Sequence, residues 1–175
     1  MNILVFSSSP NTNGLTAACA QAALAGIQEA GCQAEHIRIN DRSIGSCSAC
    51  KDGWGTCRPD HICEVLDDFQ KLHDHTLKAD AYVLVNQVYW GDLSESMKAF
   101  TDRLRRCEAT RGQESGLANK PVMVVAAAGG SGNGTLTCLY SLVIPPIGGN
   151  TGFVNQHKAL AEMPARLRDR LEGLI

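Results

Sequence analysis

The chain opens with the apolar run Ile3-Leu4-Val5-Phe6, which leads into Ser7-Ser8-Ser9-Pro10-Asn11-Thr12-Asn13-Gly14-Leu15-Thr16 and then into an Ala-rich segment. This order predicts a buried strand, a polar loop and a helix. A loop of small hydroxyl and amide residues before a helix N-terminus presents N–H and side-chain donors where the helix dipole favours an anion. The stretch therefore predicts a phosphate-binding loop, and an ordinary polar turn with a helix N-cap is the alternative it leaves open.

The composition indicates an ordinary globular protein. The 175 residues are 44% hydrophobic and 19% charged, which fits a single domain spanning 1–175. The formal charge of −2 gives no electrostatic reason to expect nucleic acid or an anionic membrane as a partner. No segment approaches the roughly 18–20 continuous apolar residues of a membrane span, and Met1 leads directly into the first strand without a signal-peptide layout. We therefore expect a cytoplasmic protein.

Apolar strand patterns and amphipathic helix patterns alternate along the whole length. Strands are predicted at 3–6, 33–38, 81–86, 122–127 and 152–155, and helices at 15–30, 65–77, 93–104, 136–143 and 160–171. Such alternation predicts an α/β fold in which a parallel sheet carries helices on both faces. Ligands bind such sheets beyond the carboxyl ends of the strands, so the loops at 7–16, 87–92 and 128–134 are the candidate site.

Motifs in these three loops resemble those of the NADPH-dependent FMN reductase and flavodoxin-like family. Its members carry Gly-Ser-Pro-Arg and then Asn-Thr in the first loop, where this chain has Ser8-Ser9-Pro10-Asn11 and then Leu15-Thr16. They carry Pro-Val-Tyr-Trp/Phe-Gly after the third strand, where this chain has Gln87-Val88-Tyr89-Trp90-Gly91, followed by Lys98 and Asp102-Arg103. Asn11 replaces an arginine and Leu15 an asparagine, so one cationic phosphate contact is replaced by a neutral one.

The resemblance implies a flavodoxin-like three-layer sandwich whose five-stranded parallel sheet has the order 2-1-3-4-5. It also implies FMN as cofactor, NAD(P)H as electron donor and a homodimer or homotetramer. Tyr89 and Trp90 are suited to pack against the flat isoalloxazine ring, although core packing is the alternative for an aromatic pair. The residues implied to bind the cofactor are Ser9, Asn11, Asn13, Leu15, Thr16, Gln87, Val88, Tyr89, Trp90, Gly129, Gly130, Ser131 and Gly132.

Four of the eight cysteines form a separate cluster in a loop predicted at about 42–63. They are Cys47, Cys50, Cys57 and Cys63, spaced C-x2-C-x6-C-x5-C, whereas the other four are scattered and are expected to be small core residues. Four thiolates in a glycine-containing loop can wrap one metal centre. The iron–sulfur flavoproteins of the family carry C-x2-C-x2-C-x5-C here, and Gly53 stands where their third cysteine falls. A [4Fe-4S] cluster, a structural zinc, a disulfide-exchanging Cys47/Cys50 pair and no bound group all remain open.

The first functional hypothesis is an FMN-binding oxidoreductase that passes electrons from NAD(P)H to a small acceptor or a partner protein. The alternative is an iron–sulfur electron carrier supplied by a ferredoxin-like donor, and a flavin-free binding module is a third. No acid–base catalytic residue is identified. The basic run Arg103, Arg105, Arg106 and Arg111 is interpreted as a solvated helix face, and contact with the phosphates of NADPH or with a partner is the alternative. His73 and His75 lie near a predicted helix C-terminus, where histidine is favourable without a ligand role.

Overall fold

A parallel sheet forms the centre of the computed structural model, which describes residues 1–143. Its strands are β1 (Asn2–Ser7), β2 (Gln33–Arg38), β3 (Ala81–Gln87) and β4 (Val122–Ala127), in the spatial order β2-β1-β3-β4. All neighbouring strands are parallel. The α/β fold and the order of the first four strands are confirmed. The strand predicted at 152–155 and the helix predicted at 160–171 lie outside the described residues.

Within residues 1–143, four helices connect or follow these strands. They are α1 (Leu15–Glu29), α2 (Phe69–Thr76), α3 (Glu95–Glu108) and α4 (Thr135–Val143), and short 3-10 turns occur at Ile39–Asp41 and Gly112–Glu114. No helix within residues 1–143 is both long enough and apolar enough to cross a membrane.

The helix predicted at 65–77 is four residues shorter at its start, because Asp67 holds the preceding residues in a loop. The Asp67 carboxylate accepts hydrogen bonds from the backbone N–H groups of Phe69 at 3.0 Å and Gly45 at 2.9 Å. Leu66, predicted to lie on the buried face of that helix, is fully exposed. The long loop that contains the cysteine cluster therefore extends from 42 to 68.

Alternate side chains of the buried strands pack against helices on opposite faces of the sheet. Ile3, Val5 and Val83 face α1, whose small residues let the helix lie close to the sheet. Leu4, Phe6 and their neighbours face α2, α3 and α4, and the Phe6 and Phe100 rings stack with centroids 5.3 Å apart. Because the strands are parallel, the loops after β1, β3 and β4 lie at the same edge of the sheet.

Candidate functional site

The loop after β1 ends at a helix whose first turn is open. Ser8 and Ser9 are buried at the end of the strand, and Asn11 and Asn13 are exposed. Ser9 Oγ accepts a hydrogen bond from the backbone N–H of Asn11 at 3.2 Å, which orders the turn. Gly14 is the N-cap of α1, and no side chain of the described residues caps it. The N–H groups of this first turn are therefore available to an anion, as the phosphate-loop prediction requires.

A buried hydrogen-bond network joins this loop to the end of β3. Ser8 Oγ donates to Asn86 Oδ1 at 2.7 Å and lies 2.9 Å from Gln87 Oε1. Gln87 Nε2 donates back to the carbonyl oxygen of Ser8 at 2.9 Å. Gln87, which stands where the resembled family has proline, thus fastens the two loops together through its side chain.

Asn86 also connects β3 to the start of α3. Its Oδ1 accepts from Ser94 Oγ at 2.9 Å and from the backbone N–H of Ser94 at 3.2 Å. Ser94 Oγ in turn accepts from the backbone N–H of Met97 at 3.3 Å and caps α3. Ser8, Asn86 and Ser94 are not among the residues predicted to bind the cofactor. The signal in the sequence that points to this network is the pair of amides, Asn86 and Gln87, at the end of an otherwise apolar strand.

The loop after β3 forms a tight turn that displays two aromatic rings. Tyr89 and Asp92 exchange backbone hydrogen bonds of 3.1 and 3.0 Å, and the two residues between them have positive φ angles. Trp90, with φ of 52°, is fully exposed, and Tyr89 is 52% exposed. The alternative that these rings pack in the core is therefore wrong. A bulky residue in left-handed backbone conformation carries a cost, and such conformations are common at ligand sites.

The glycine-rich loop after β4 packs directly against this turn. A Cβ atom on Gly134 would lie 2.4 Å from the Cα atom of Gly91, so only glycine permits the approach. Thr137 Oγ1 from α4 donates to the carbonyl oxygen of Gly91 at 2.5 Å. At the base of the two loops, the backbone N–H of Val88 donates to the carbonyl oxygen of Ala127 at 3.0 Å.

The three predicted loops therefore meet at one edge, with the β3 loop between the other two. Its contact with the β1 loop runs through Gln87 and Ser8, and its contact with the β4 loop runs through Gly91 and Gly134. Among the residues predicted to bind a cofactor, Thr16 is buried and Leu15 is 57% exposed. Gly129, Gly130 and Ser131 are exposed, and Gly132 is half-buried. Their contacts with a cofactor stay predictions.

The four clustered cysteines line one cavity in the loop 42–68, although they are spread over 17 positions of the chain. All eight cysteines are free thiols. Cys107 from α3, one of the scattered cysteines expected in the core, is buried and also lines this cavity. Within residues 1–143, no three His, Cys, Asp or Glu side chains are already arranged to hold a metal ion. Metal ligation by the four cysteines stays a prediction.

Arg103 anchors this cysteine loop to α3. Its side chain is 1% exposed, and its guanidinium binds the Asp67 carboxylate through two contacts of 2.5 and 2.9 Å. Arg103 also donates to the carbonyl oxygen of Gly45 at 3.0 Å and to Cys63 Sγ at 3.3 Å. Burial alone would raise the pKa of Asp67, but the hydrogen bonds from Arg103 and two backbone N–H groups outweigh it and lower that pKa.

The interpretation of the basic run as a solvated helix face is wrong for two of its members. Arg103 is buried, and Arg106 is half-buried with a 2.6 Å hydrogen bond to the carbonyl oxygen of Gly53. The Arg106 guanidinium lies 4.4 Å from the ring centroid of Trp54. Both arginines therefore project from α3 onto the cysteine loop, which separates Arg103 from solvent and covers part of Arg106.

The thiols of the cavity differ in their environment. Burial, with lesser contributions from Cys63 and Cys57, raises the pKa of Cys107 to about 12, so this thiol stays protonated at neutral pH. Partial desolvation and the nearby Glu64 carboxylate raise the pKa of Cys50. A cation at this site would reverse such effects, because a metal ion stabilises the thiolate form of its ligands. The four loop thiols are thus a donor set that fits a thiolate-ligated metal group.

A family model described as NADPH-dependent FMN reductase matches residues 1–154. The chain belongs to the NADPH-dependent FMN reductase family. An iron–sulfur flavoprotein of Methanosarcina thermophila is 30% identical over 137 residues, covering 77% of this chain and 66% of that protein. One from Methanocaldococcus jannaschii is 30% identical over 105 residues, covering 60% of this chain and 52% of that protein. The chain thus spans about half to two thirds of the length of these relatives.

Solved structures confirm the fold. An NAD(P)H:quinone oxidoreductase from Methanothermobacter marburgensis superposes with a TM-score of 0.61 and 17% identity, covering 99% of this chain and 96% of that one. At this identity the likeness establishes the flavodoxin-like fold alone. Membership of an FMN reductase family confirms the resemblance inferred from the three loops.

Proposed function

We propose that this protein is an FMN-binding oxidoreductase that passes electrons from NAD(P)H to a small acceptor or a redox partner protein. The observation that carries the proposal is the exposed Tyr89-Trp90 turn, fixed between the open N-terminus of α1 and the glycine-rich loop after β4. An anion site, a flat apolar surface and a loop of backbone donors side by side match the phosphate, the ring face and the polar ring edge of FMN.

Each loop has a distinct role in this proposal. The first turn of α1, with Ser9, Asn11, Asn13 and Thr16, would hold the phosphate. Tyr89 and Trp90 would pack against the ring system and exclude water from one of its faces. Backbone groups of 129–132 would meet the polar edge of the ring. FMN, when bound, supplies the electron-transfer chemistry, and this chain supplies placement and electrostatics.

Flavin binding is tested by titrating the purified protein with FMN and following absorption and tryptophan fluorescence. We expect Trp90→Ala to weaken FMN binding about tenfold, since an aromatic contact contributes roughly 0.5–1.5 kcal/mol beyond its buried area. Leu66→Ala, which removes a fully exposed apolar side chain from the cysteine loop, is the matched control and should leave the affinity unchanged. Oxidation of NADPH and NADH by the FMN-loaded protein then tests the reductase activity. A wild-type protein that takes up no FMN would refute the proposal.

A second candidate function, an iron–sulfur flavoprotein electron carrier, is favoured by the four thiols that line one cavity beside Arg103. The two relatives described above are iron–sulfur flavoproteins, and they share 30% identity with this chain. Cys47, Cys50, Cys57 and Cys63 would ligate the cluster, which would supply one-electron transfer. A ferredoxin-like protein would then be the donor.

The two candidates are separated by assaying iron, sulfide and zinc in protein purified without oxygen. For the electron carrier we expect four irons per chain and a broad visible absorption that Cys57→Ser abolishes while FMN stays bound. Cys32→Ser is the control, because this half-buried cysteine lies three residues after the end of α1 and does not line the cavity of the cysteine loop. If the wild-type protein contains no metal and reduces FMN with NADPH, the electron-carrier candidate is refuted and the FMN reductase candidate is retained.

We also propose a homodimer or homotetramer, which light scattering after size-exclusion chromatography tests.

A further inference from the structure

The proposed phosphate loop contains no positive charge of its own. Residues 7–16 include neither lysine nor arginine, and the donors they offer are backbone N–H groups, hydroxyls and amides. A terminal phosphate monoester carries about −1.5 to −2 charges at neutral pH. A helix N-terminus contributes the equivalent of only about half a positive charge. A full cation from another element would therefore complete the site.

Arg38 places a guanidinium on this loop from the neighbouring strand. It is the last residue of β2 and lies opposite Ser7, the last residue of β1, in the parallel register. Its Nη2 donates to the carbonyl oxygen of Pro10 at 3.4 Å, so the side chain bends over the β1 loop rather than into solvent. The side chain keeps 29% of its surface exposed, which leaves N–H groups free to meet a ligand.

The present partner of Arg38 is weakly held. Arg38 Nη1 lies 3.5 Å from the Asp41 carboxylate, which is 57% exposed and three residues further along the chain. Exposed pairs of this kind contribute little and rearrange readily. The guanidinium can therefore exchange Asp41 for a phosphate at little cost, and its planar fork suits two phosphate oxygens at once.

The other ionisable group at this end of β2 does not supply the charge. His36 Nε2 lies 2.8 Å from Ser7 Oγ, directly below the loop. Burial and the nearby Arg38 lower the pKa of His36, so it is mostly neutral at pH 7. Within residues 1–143, Arg38 is then the cation that donates a hydrogen bond to the β1 loop.

We propose that Arg38 binds the phosphate of the flavin and makes the site select FMN over riboflavin. This inference rests on the proposed FMN site and adds a binding residue that lies outside its three loops. FMN and riboflavin share the ring system and the ribityl chain, so only the phosphate distinguishes them. A residue that contacts the phosphate alone changes the affinity for one flavin and not for the other.

The test measures dissociation constants for FMN and riboflavin with the wild type, Arg38→Gln and Arg42→Gln. We expect Arg38→Gln to weaken FMN binding by about 10- to 100-fold, as loss of a charge-assisted hydrogen bond does, and to leave riboflavin binding unchanged. The salt dependence of FMN binding should also become shallower in this variant. Arg42→Gln removes an exposed arginine four residues along the chain and should change neither constant. Asp41→Asn, which frees the guanidinium from its carboxylate, should strengthen FMN binding alone.

The outcomes separate this inference from the function on which it rests. If Arg38→Gln weakens FMN and riboflavin equally, or weakens neither, Arg38 is not a phosphate ligand, although the FMN site stands. If the wild type binds neither flavin, both proposals fail. Equal unfolding midpoints of the wild type and Arg38→Gln exclude a folding defect as the cause of a selective loss.

Discussion

Arg103 shows how one side chain can organise a long loop that has little apolar content. Segment 42–68 has neither helix nor strand, yet Arg103 reaches it from α3 and binds Asp67, Gly45 and Cys63. The guanidinium also lies 4.3 Å from the ring centroid of Phe69. Its Nε atom is buried without a hydrogen-bond partner in the described residues. Desolvating this cation is costly, and the bidentate Asp67 contact offsets that cost.

Arg103→Gln should therefore destabilise the protein strongly, by about 3–5 kcal/mol, because it leaves the Asp67 carboxylate without its partner. Urea denaturation followed by circular dichroism measures the change. Arg105→Gln is the matched control on the same helix and should change the free energy of unfolding by less than about 0.5 kcal/mol. Equal small effects of the two substitutions would show that Arg103 does not anchor the loop.

At the scale of elements, the candidate site depends on how closely the loops approach one another. The β3 and β4 loops meet backbone to backbone at Gly91 and Gly134, and both glycines have positive φ angles of 81° and 82°. The β1 and β3 loops meet through buried side chains instead, with Ser8 between Asn86 and Gln87. These contacts fix the exposed Trp90 turn relative to the open end of α1.

Gly134→Ala should disrupt this arrangement, because its Cβ would lie 2.4 Å from the Cα atom of Gly91. Gly31→Ala is the matched control: its φ of 73° imposes similar backbone strain, but a Cβ there meets no atom within 4 Å. The control should cost about 1 kcal/mol, and Gly134→Ala clearly more, with a loss of FMN binding that the control does not show. Thermal unfolding and FMN titration measure both effects. Similar results for the two variants would contradict the close approach.

A buried pair between α2 and α3 gives the stability a specific acid dependence. His73 Nε2 lies 2.8 Å from Glu108 Oε1, and Ser115 Oγ donates to Glu108 Oε2 at 2.6 Å. Burial alone would raise the pKa of Glu108, but the hydrogen bonds from His73 and Ser115 outweigh it and lower that pKa. The Glu108 carboxylate therefore binds a proton more readily in the unfolded chain than in the folded one. Its contribution to the free energy of unfolding is present above about pH 4.5 and is lost as the pH falls below that value.

Glu108→Gln should accordingly be less stable than the wild type at pH 7 and should lose less further stability between about pH 5 and pH 3. The free energy of unfolding, measured by urea denaturation across this range, tests the expectation. Glu114→Gln, which alters an exposed carboxylate in the following 3-10 turn, should follow the wild-type curve. A Glu108→Gln curve parallel to that of the wild type would refute the assigned linkage.

The sequence predicted the features that depend on local pattern and missed those that depend on register. The buried run of β3 was recognisable because a strand covered on both faces is apolar at successive positions. The Ser8–Asn86 contact joins residues 78 positions apart, and only the parallel pairing of β1 and β3 brings them together. Burial of Arg103 had a local signal, since it lies three residues after Phe100 on the apolar stripe of α3. The positive charge of Arg103 and of its neighbours instead favoured the interpretation of a solvated helix face, which is wrong for Arg103.

At the scale of the whole molecule, the loops that form the two candidate redox sites start at the same edge of the sheet. The cysteine loop follows β2, and the proposed FMN site follows β1, β3 and β4, so both start at the carboxyl ends of parallel strands. The proposed flavin site joins elements separated by more than a hundred residues. Unfolding separates these elements and so destroys the proposed flavin site. FMN binding is therefore coupled to the free energy of unfolding of the whole fold.

FMN should raise the thermal unfolding midpoint of the whole domain. At a free concentration one hundred times its dissociation constant, FMN adds about 2.7 kcal/mol to the free energy of unfolding. For a chain of this length, that corresponds to a rise of roughly 5–11 °C. Circular dichroism at 222 nm, recorded at several FMN concentrations, measures the shift and its expected increase with the logarithm of concentration. Cys57→Ser should show the same shift, because the proposed flavin site includes no residue of the cysteine loop. An FMN-independent midpoint in protein that does bind FMN would show that the bound flavin does not hold β1, β3 and β4 together.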